Sequence, residues 1–479
     1  MTPGRVTSRR TAGSMLLFVD FQDRGDSIQG FCNFRILEEQ KVDRDEFKKF
    51  AKCVRKGDII RITGHPCRSS SGELSVMATQ LPEFMAPCLH QIPEELRKDS
   101  DILAKRPHVD FLRDDRRLAI LHIRARIIDE MRQFFSHHGF LEVNTPVLAA
   151  GAGGAVARPF ETRATEFPDE PLNLRIAPEL LLKRLVIGTG ERVYEIGTVF
   201  RNEGIDATHN PEFQICEFYQ PHATLGDLMK TTEKLFEGFS NAITGLAMHV
   251  PAVSKIVSKA PLITPGPFKQ LEFIPTIEKA INRKLPPLHE PAATIAMTEL
   301  CNELGITLPS NPTLPRILDH LAGLYIEPLC IDPTFITHHP NVMSPLAKCY
   351  MDHRIRQVVS LRAELFIKGR EYVNAYEEEN SPFEQRRNFE VQLAHKGTGD
   401  ESMGGDGARG GVDESYIEAL EWGLPPTGGW GCGIDRLVML YSGSERIADV
   451  QPFGTLRNVV AMSKVGTNKW MRPLSASKS

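Results

Sequence analysis

Over the first ninety residues, apolar and polar positions alternate in short runs. "GRVTSRR", "MLLFVDFQD", "SIQGFCNF", "DIIRITGHPCR" and "ELSVMATQL" each read as a strand, with turn residues such as "RGDS" and "SSSG" between them. One stretch, "DRDEFKKFAKCVRKG", changes to helical spacing. Five strands around one helix predict a small Greek-key barrel of the OB type over residues 1–90, a frequent nucleic-acid platform. Residues 91–110 read as a polar linker, and a larger domain is expected over 111–479.

In the larger part, "RRLAILHIRARIIDEMRQFFSHHGF" carries an apolar stripe through positions 120, 123, 127, 131 and 134, widened by 121, 128 and 135. Arg124 falls outside the stripe and is expected to face solvent or a partner. His137, His138 and Gly139 close this helix, and "FLEVNTPVL" follows as a strand interrupted at Pro146, which suits an edge. "VYEIGTVF" and "FQICEFYQ" read as a hairpin around a long loop, and "ELFI" and "YVNAY" as a second strand pair. An insertion of helices and loops is expected at about 240–300, and a mobile glycine-rich surface loop at 396–412.

Composition narrows the class. Hydrophobic residues make up 41% and charged residues 25% of the 479, with a net charge of −4, so any nucleic-acid contact must use a local basic patch. No run of 18 apolar residues occurs, which argues against a membrane-spanning helix. Nine scattered cysteines form no CxxC pair and read as reduced thiols of an intracellular protein. Arg5, Arg9 and Arg10 precede the first acid, Asp20, as in a transit peptide, but the alternation favours a strand.

Three stretches carry candidate chemistry. In "FRNEGIDATHNPEFQICEFYQP" the two-residue period sets Arg201 with Glu203, and Glu217 with Tyr219, on one face; the plainer reading is a set of cross-strand ion pairs. In "LRAELFIKGREYVNAYEEEN" alternation aligns Asn374, Tyr376 and Glu378, while Glu377 and Glu379 read as a solvated acidic rim. In "GGWGCGIDRLVML" Gly429, Gly431 and Gly433 alternate along a strand, as close approach of a ligand or another backbone requires, and Arg436 opens the next helix.

These stretches resemble the three motifs of class II aminoacyl-tRNA synthetases, with "GFLEVNTPVL" as the first. "GGAVARPF", "LRIAPELLLKRLVIG", "HNPEFQICEFY", "HHPNVMSPLAK" and "NAYEEEN" are similar to the lysyl-specific family, with a flavour of its fungal mitochondrial members. The resemblance runs from about residue 4 to about 458. It implies an α+β protein: an OB-fold anticodon-binding barrel joined to a catalytic domain on an antiparallel sheet flanked by helices. It implies ATP and Mg²⁺, L-lysine and tRNA(Lys) as partners, a homodimer, no membrane and no DNA partner, and a mitochondrial rather than cytoplasmic location. Family members usually have a helical segment before the first barrel strand, so upstream residues are expected beyond those present.

The resemblance also assigns roles. Arg201 contacts the α-phosphate and amino-acid carboxylate, and Arg436 the γ-phosphate side. Glu203, His209, Phe213 and Gly431 belong to the nucleotide, and Glu364 and Glu371 hold Mg²⁺. Gly154 and Glu179 meet the α-ammonium, Asn374 the carboxylate, and Glu217, Tyr219, Tyr376 and Glu378 the side-chain end of the pocket. Arg10, Phe18, Gln29 and Glu73 match anticodon contacts; as plain structure, Phe18 is barrel core and Gln29 an edge polar group.

Overall fold

The computed structural model describes residues 1–69, 72–90, 92, 105–150, 157–258, 260, 263, 265–396 and 412–463. Gly154, most of the 91–110 linker and positions 397–411 of the glycine-rich stretch lie outside the described residues. By contact the chain forms two compact units, 1–103 with 108–113, and 104–107 with 114–479.

The first unit is a sheet of β1 (Thr2–Ala12), β2 (Leu16–Asp23), β3 (Asp26–Asn33), β4 (Ile59–Ile62), β5 (Gly64–Arg68), β6 (Leu74–Ala78) and β7 (Glu83–Ala86), in the order β5-β6-β3-β2-β1-β4-β7. Alternation in β2 sends Leu17, Val19 and Phe21 into the core and leaves Phe18, Asp20 and Gln22 on the other face. Seven strands replace the expected five. "DIIRITGHPCR" splits at Thr63 because β4 pairs with β1 and β7 while β5 pairs with β6. Gly64 permits that corner: a Cβ there would lie 1.9 Å from the Met77 carbonyl oxygen. β7 is exposed along its length and so carries no alternation to read. The helix Arg44–Cys53 forms as expected, started by Asp43, whose carboxylate accepts from the amides of Asp45 and Glu46, and packed through Phe47 and Phe50. A further short helix, Phe34–Glu39, begins where the strand reading still ran on.

The second unit contains β8 (Leu141–Glu142), β9 (Leu148–Ala149), β10 (Glu161–Arg163), β11 (Pro171–Leu174), β12 (Val193–Phe200), β13 (Glu212–Pro221), β14 (Lys269–Glu272), β15 (Thr334–Thr337), β16 (Cys349–Asp352), β17 (Gln357–Ser360), β18 (Arg362–Ile367), β19 (Arg370–Glu377) and β20 (Thr427–Gly433). Eight of them form the main sheet, β14-β15-β18-β19-β20-β13-β12-β8, antiparallel except for its two outermost pairs. With helices packed on it this is the expected α+β architecture. β8, just before Pro146, is indeed an edge strand.

The helix Asp115–His137 lays Ile120, Ile123, Ile127, Met131 and Phe135 into the core against the helix Leu225–His249. Phe135 touches Phe140, Tyr194, Phe218 and Trp430, so one ring ties this helix to the central strands. Arg124 is a correction. It is largely buried, donating to Asp435 Oδ1 at 2.7 Å and Gln214 Oε1 at 2.8 Å. The acidic rim is a second one. Glu379 is buried and accepts from the Ser381 amide at 2.9 Å, and Glu377 accepts from the Leu225 amide at 2.9 Å, so neither is a solvated charge. The expected insertion also differs: the helix Leu225–His249 runs through position 240, and a separate core joins the helices Phe273–Ile281, Ala293–Glu303 and Leu314–Tyr325.

Candidate active site

The site rests on the four middle strands. Register sets Glu217, Gly431, Asn374 and Glu364 side by side across β13, β20, β19 and β18, and Tyr219, Gly429, Tyr376 and Arg362 in the next row on the same face. In both rows the β20 member is a glycine, so the middle strand contributes only backbone and the flanking side chains stand as walls. The result is a trough of about 470 Å³. Close approach is required here: a Cβ on Gly429 would lie 1.8 Å from Glu378 Oε1. The alternating glycines serve side chains of the neighbouring segments rather than another backbone.

The closed end is acidic. Glu179 opens the helix Glu179–Thr189 and receives the Tyr376 hydroxyl and the Lys183 ammonium, both at 2.7 Å. Lys183 Nζ also forms an ion-pair contact with Glu378, which is only 1% exposed, so one buried ammonium serves two carboxylates. Burial, with Glu179 beside it, pushes the Glu217 carboxyl up to about 8 despite the Tyr219 hydroxyl at 3.3 Å. Sequence reading missed Lys183. Its signal is a lysine one turn after Glu179 in the otherwise apolar run "ELLLK".

The other end is cationic. β12 stops at Phe200, so the two-residue period does not extend to Arg201 and Glu203, and the expectation of one strand face for them fails. Arg201 turns back, its guanidinium carbon 5.2 Å from the Phe213 ring centre and its Nε donating to the Ile176 carbonyl at 3.4 Å. Burial pulls its pKa down, opposed by Glu203, Glu217 and Glu371. Glu203 itself is exposed. Arg436 donates to the Glu371 carbonyl at 3.0 Å and to His209 Nε2 at 3.1 Å, while His209 Nδ1 lies 2.9 Å from Asp206. Burial opposes ionisation of Asp206 slightly, and bonds from Thr208 and His209 bring it down to about 2.

Glu364 and Glu371 line a second cavity of about 680 Å³ together with Arg436. Glu364 is half-buried, which opposes its charge, but Arg362 and His339, the latter at 3.0 Å, hold its carboxyl well below the usual range. Glu371 is raised by burial and by the Glu364 charge. Two carboxylates sharing one cavity, one of them held up by the charge of the other, are a donor set that fits a divalent cation. Among the described residues no group of three or more His, Cys, Asp or Glu makes a metal cage by itself. Asn374 Oδ1 accepts from Arg362 Nε at 3.0 Å. Arg362, His339 and Asp206 all escaped sequence reading, since each acts through a partner from another element or turn.

On the barrel unit, Phe18 and Phe31 stack at 4.9 Å on the face away from the core, with the Arg10 guanidinium carbon 4.7 Å from the Phe18 ring centre. Phe18 is therefore not barrel core. Gln29 donates to Glu73 at 2.9 Å and is buried within its sheet face.

A family model of class II tRNA synthetases (D, K and N) matches residues 99–457, and one of OB-fold nucleic acid binding domains matches residues 3–83. The chain is 41% identical over 460 residues to the mitochondrial lysine–tRNA ligase of Schizosaccharomyces pombe, spanning 95% of this chain and 84% of that protein. The chain belongs to the lysine–tRNA ligase family of class II tRNA synthetases. This synthetase is also 40% identical over 464 residues to a probable cytoplasmic lysine–tRNA ligase of Enterocytozoon bieneusi, spanning 95% and 86% of the two chains. With a lysine–tRNA ligase of Lactococcus lactis it shares 36% over 459 residues, spanning 95% and 87%. Synthetases of this class use ATP and a divalent metal ion.

Proposed function

We propose that the chain activates L-lysine with ATP and transfers it to the 3′ end of tRNA(Lys). The observation that carries this reading is the closed end of the trough. Glu179, Glu217 and Glu378 gather there around a single buried ammonium, Lys183, which pairs with Glu179 and Glu378, so acids are in excess. A side chain ending in an ammonium supplies both donors and charge. A neutral or acidic side chain leaves buried carboxylates unpaired, a penalty that discriminates by about 10⁴-fold where a site is built around such bonds.

The lysine carboxylate attacks the α-phosphorus, the bond to the β-phosphate oxygen breaks, and pyrophosphate leaves. Arg201 lies where the carboxylate meets the α-phosphate, and Arg436 holds the γ-phosphate side, so both stabilise charge that spreads over phosphoryl oxygens. Glu364 and Glu371 would hold Mg²⁺, which would supply charge neutralisation at the phosphates. Phe213, His209 and Glu203 receive the nucleotide and Gly431 floors the site. Glu179 and Gly154 take the α-ammonium, and Asn374 the carboxylate. The terminal ribose hydroxyl of the tRNA then attacks the activated carbonyl and AMP departs. Positioning and charge carry the reaction, and no side-chain nucleophile takes part.

Pyrophosphate exchange measured with each of the twenty standard amino acids tests this reading. Lysine is expected to drive exchange, and a stronger response to any other amino acid overturns the assignment. Arg10, Phe18, Gln29 and Glu73 read the anticodon, supported by the half-buried aromatic pair beside a guanidinium on the face away from the core. A homodimer is supported by apolar side chains left exposed on and just after the edge strand, Leu141, Val147 and Leu148. Sedimentation at about twice 53.6 kDa checks it, and a fully active monomer refutes it. A mitochondrial site of action is supported by the Schizosaccharomyces pombe relative, and imaging of the tagged protein decides between that and the cytoplasm named for the Enterocytozoon bieneusi and Encephalitozoon cuniculi relatives.

A further inference from the structure

Lys183 is a fully buried cation paired with the acids at the closed end of the trough, and none of the roles above uses it. Its helix supplies Glu179 one turn earlier. The end of β19 and the segment after it supply Tyr376 and Glu378, β13 supplies Glu217 and Tyr219, and the helix Glu414–Glu421 supplies Tyr416. The ammonium lies 5.7 to 5.9 Å from the ring centres of Tyr219, Tyr376 and Tyr416, a cage that suits a permanent cation. Nothing in this arrangement leaves the side chain room to serve solvent or phosphate.

Charge arithmetic gives it a purpose. Glu179, Glu217 and Glu378 bring three acids, and Lys183 one fixed cation. With all three acids ionised in the lysine complex, the remainder matches the two ammonium groups of lysine, while the substrate carboxylate is matched by Arg201. We propose that Lys183 is a specificity-determining counter-ion, which sets the pocket to the charge of a diamino acid and lets all three acids ionise when lysine binds. The proposal rests on the lysine reading of the site. Without Lys183, three acids face two ammonium groups, and one acid keeps its proton in the lysine complex.

Infrared spectroscopy of the lysine-bound protein separates a protonated carboxyl from a carboxylate and so detects that proton. Near neutral pH, the Lys183→Met complex is expected to show one protonated-carboxyl band more than the wild-type complex, and the Lys183→Arg complex none more. Equal bands in the wild-type and Lys183→Met complexes overturn the counter-ion role, because a merely structural lysine would change affinity without leaving an acid protonated. Since an unpaired buried acid can unfold the chain, the double variant Lys183→Met with Glu179→Gln restores the balance and carries the test independently. Its complex is expected to return to the wild-type bands, and an extra band there refutes the proposal. Failure of the wild type itself to bind lysine would instead refute the substrate assignment.

Discussion

Placing a methyl group on Gly429 tests the trough directly. The new Cβ would stand 1.8 Å from Glu378 Oε1 and 2.7 Å from Tyr219 Cε1, where Cβ atoms essentially never come within 3.0 Å of a neighbour. Glu378 must then retreat by more than about 1 Å, but Lys183 and the buried surroundings hold it. Overpacking of this kind costs about 1–3 kcal/mol. If the displaced group is the one that receives the ε-ammonium, the cost falls on lysine binding, so Gly429→Ala should raise the lysine KM by about 5- to 150-fold. The ATP KM should stay near the wild-type value, since the clash lies at the other end of the trough. Gly431→Ala is the structural control: its Cβ would come no nearer than 3.4 Å, to Glu217 Cγ, so the ligand-free protein should keep its unfolding temperature while Gly429→Ala loses several degrees. Pyrophosphate exchange at varied lysine and thermal unfolding without ligand measure both. An unchanged lysine KM together with an unchanged unfolding temperature in Gly429→Ala would refute the packing argument.

Arg201→Lys keeps the charge but loses the planar fork, and should abolish most lysine-dependent pyrophosphate exchange; near-normal exchange removes Arg201 from its role. Replacing Phe18 and Gln29 by Ala should weaken tRNA charging by about 1–3 kcal/mol per stacked base lost while exchange stays intact, and equal loss in both assays assigns those residues to folding. Because burial holds the Glu217 carboxyl at about 8, kcat/KM for lysine should rise with pH through that midpoint, and Glu217→Gln should lack the rise. The same shift sets a stability trend. The unfolded carboxyl ionises near 4.5 and the folded one near 8, so this group's stabilising contribution, full below 4.5, is lost as pH climbs through that window. Denaturant midpoints of wild type and Glu217→Gln at pH 5 and 8 check the sign.

The rows of the site were legible where strand alternation fixed them. Asn374, Tyr376, Glu217 and Tyr219 share the expected face because period two survives across a regular ladder. Legibility ended where the chain leaves a strand, as at Arg201 and Glu203 just past Phe200, or where a polar group is paired far away in sequence. Lys183 went unread because the partner that explains a cation in an apolar helix, Glu378, lies far away in sequence. Arg124 fell outside its helix's stripe for the same reason, and β7 gave no alternation because neither of its faces is covered.

The bonds made by Arg124 bear on how this protein comes into being. Asp435 accepts from Arg124, 311 positions earlier, and from the Gln214 amide, 221 positions earlier. Until synthesis has passed residue 435, Arg124 lacks its carboxylate, and a cation left unpaired in such a setting costs about 3–5 kcal/mol. A prematurely ended product thus lacks Arg436 and is weakened in the helix that carries so much of its core. An incomplete copy is thus a poor folder, and the second unit reaches its full stability only once the segment carrying Asp435 has joined it.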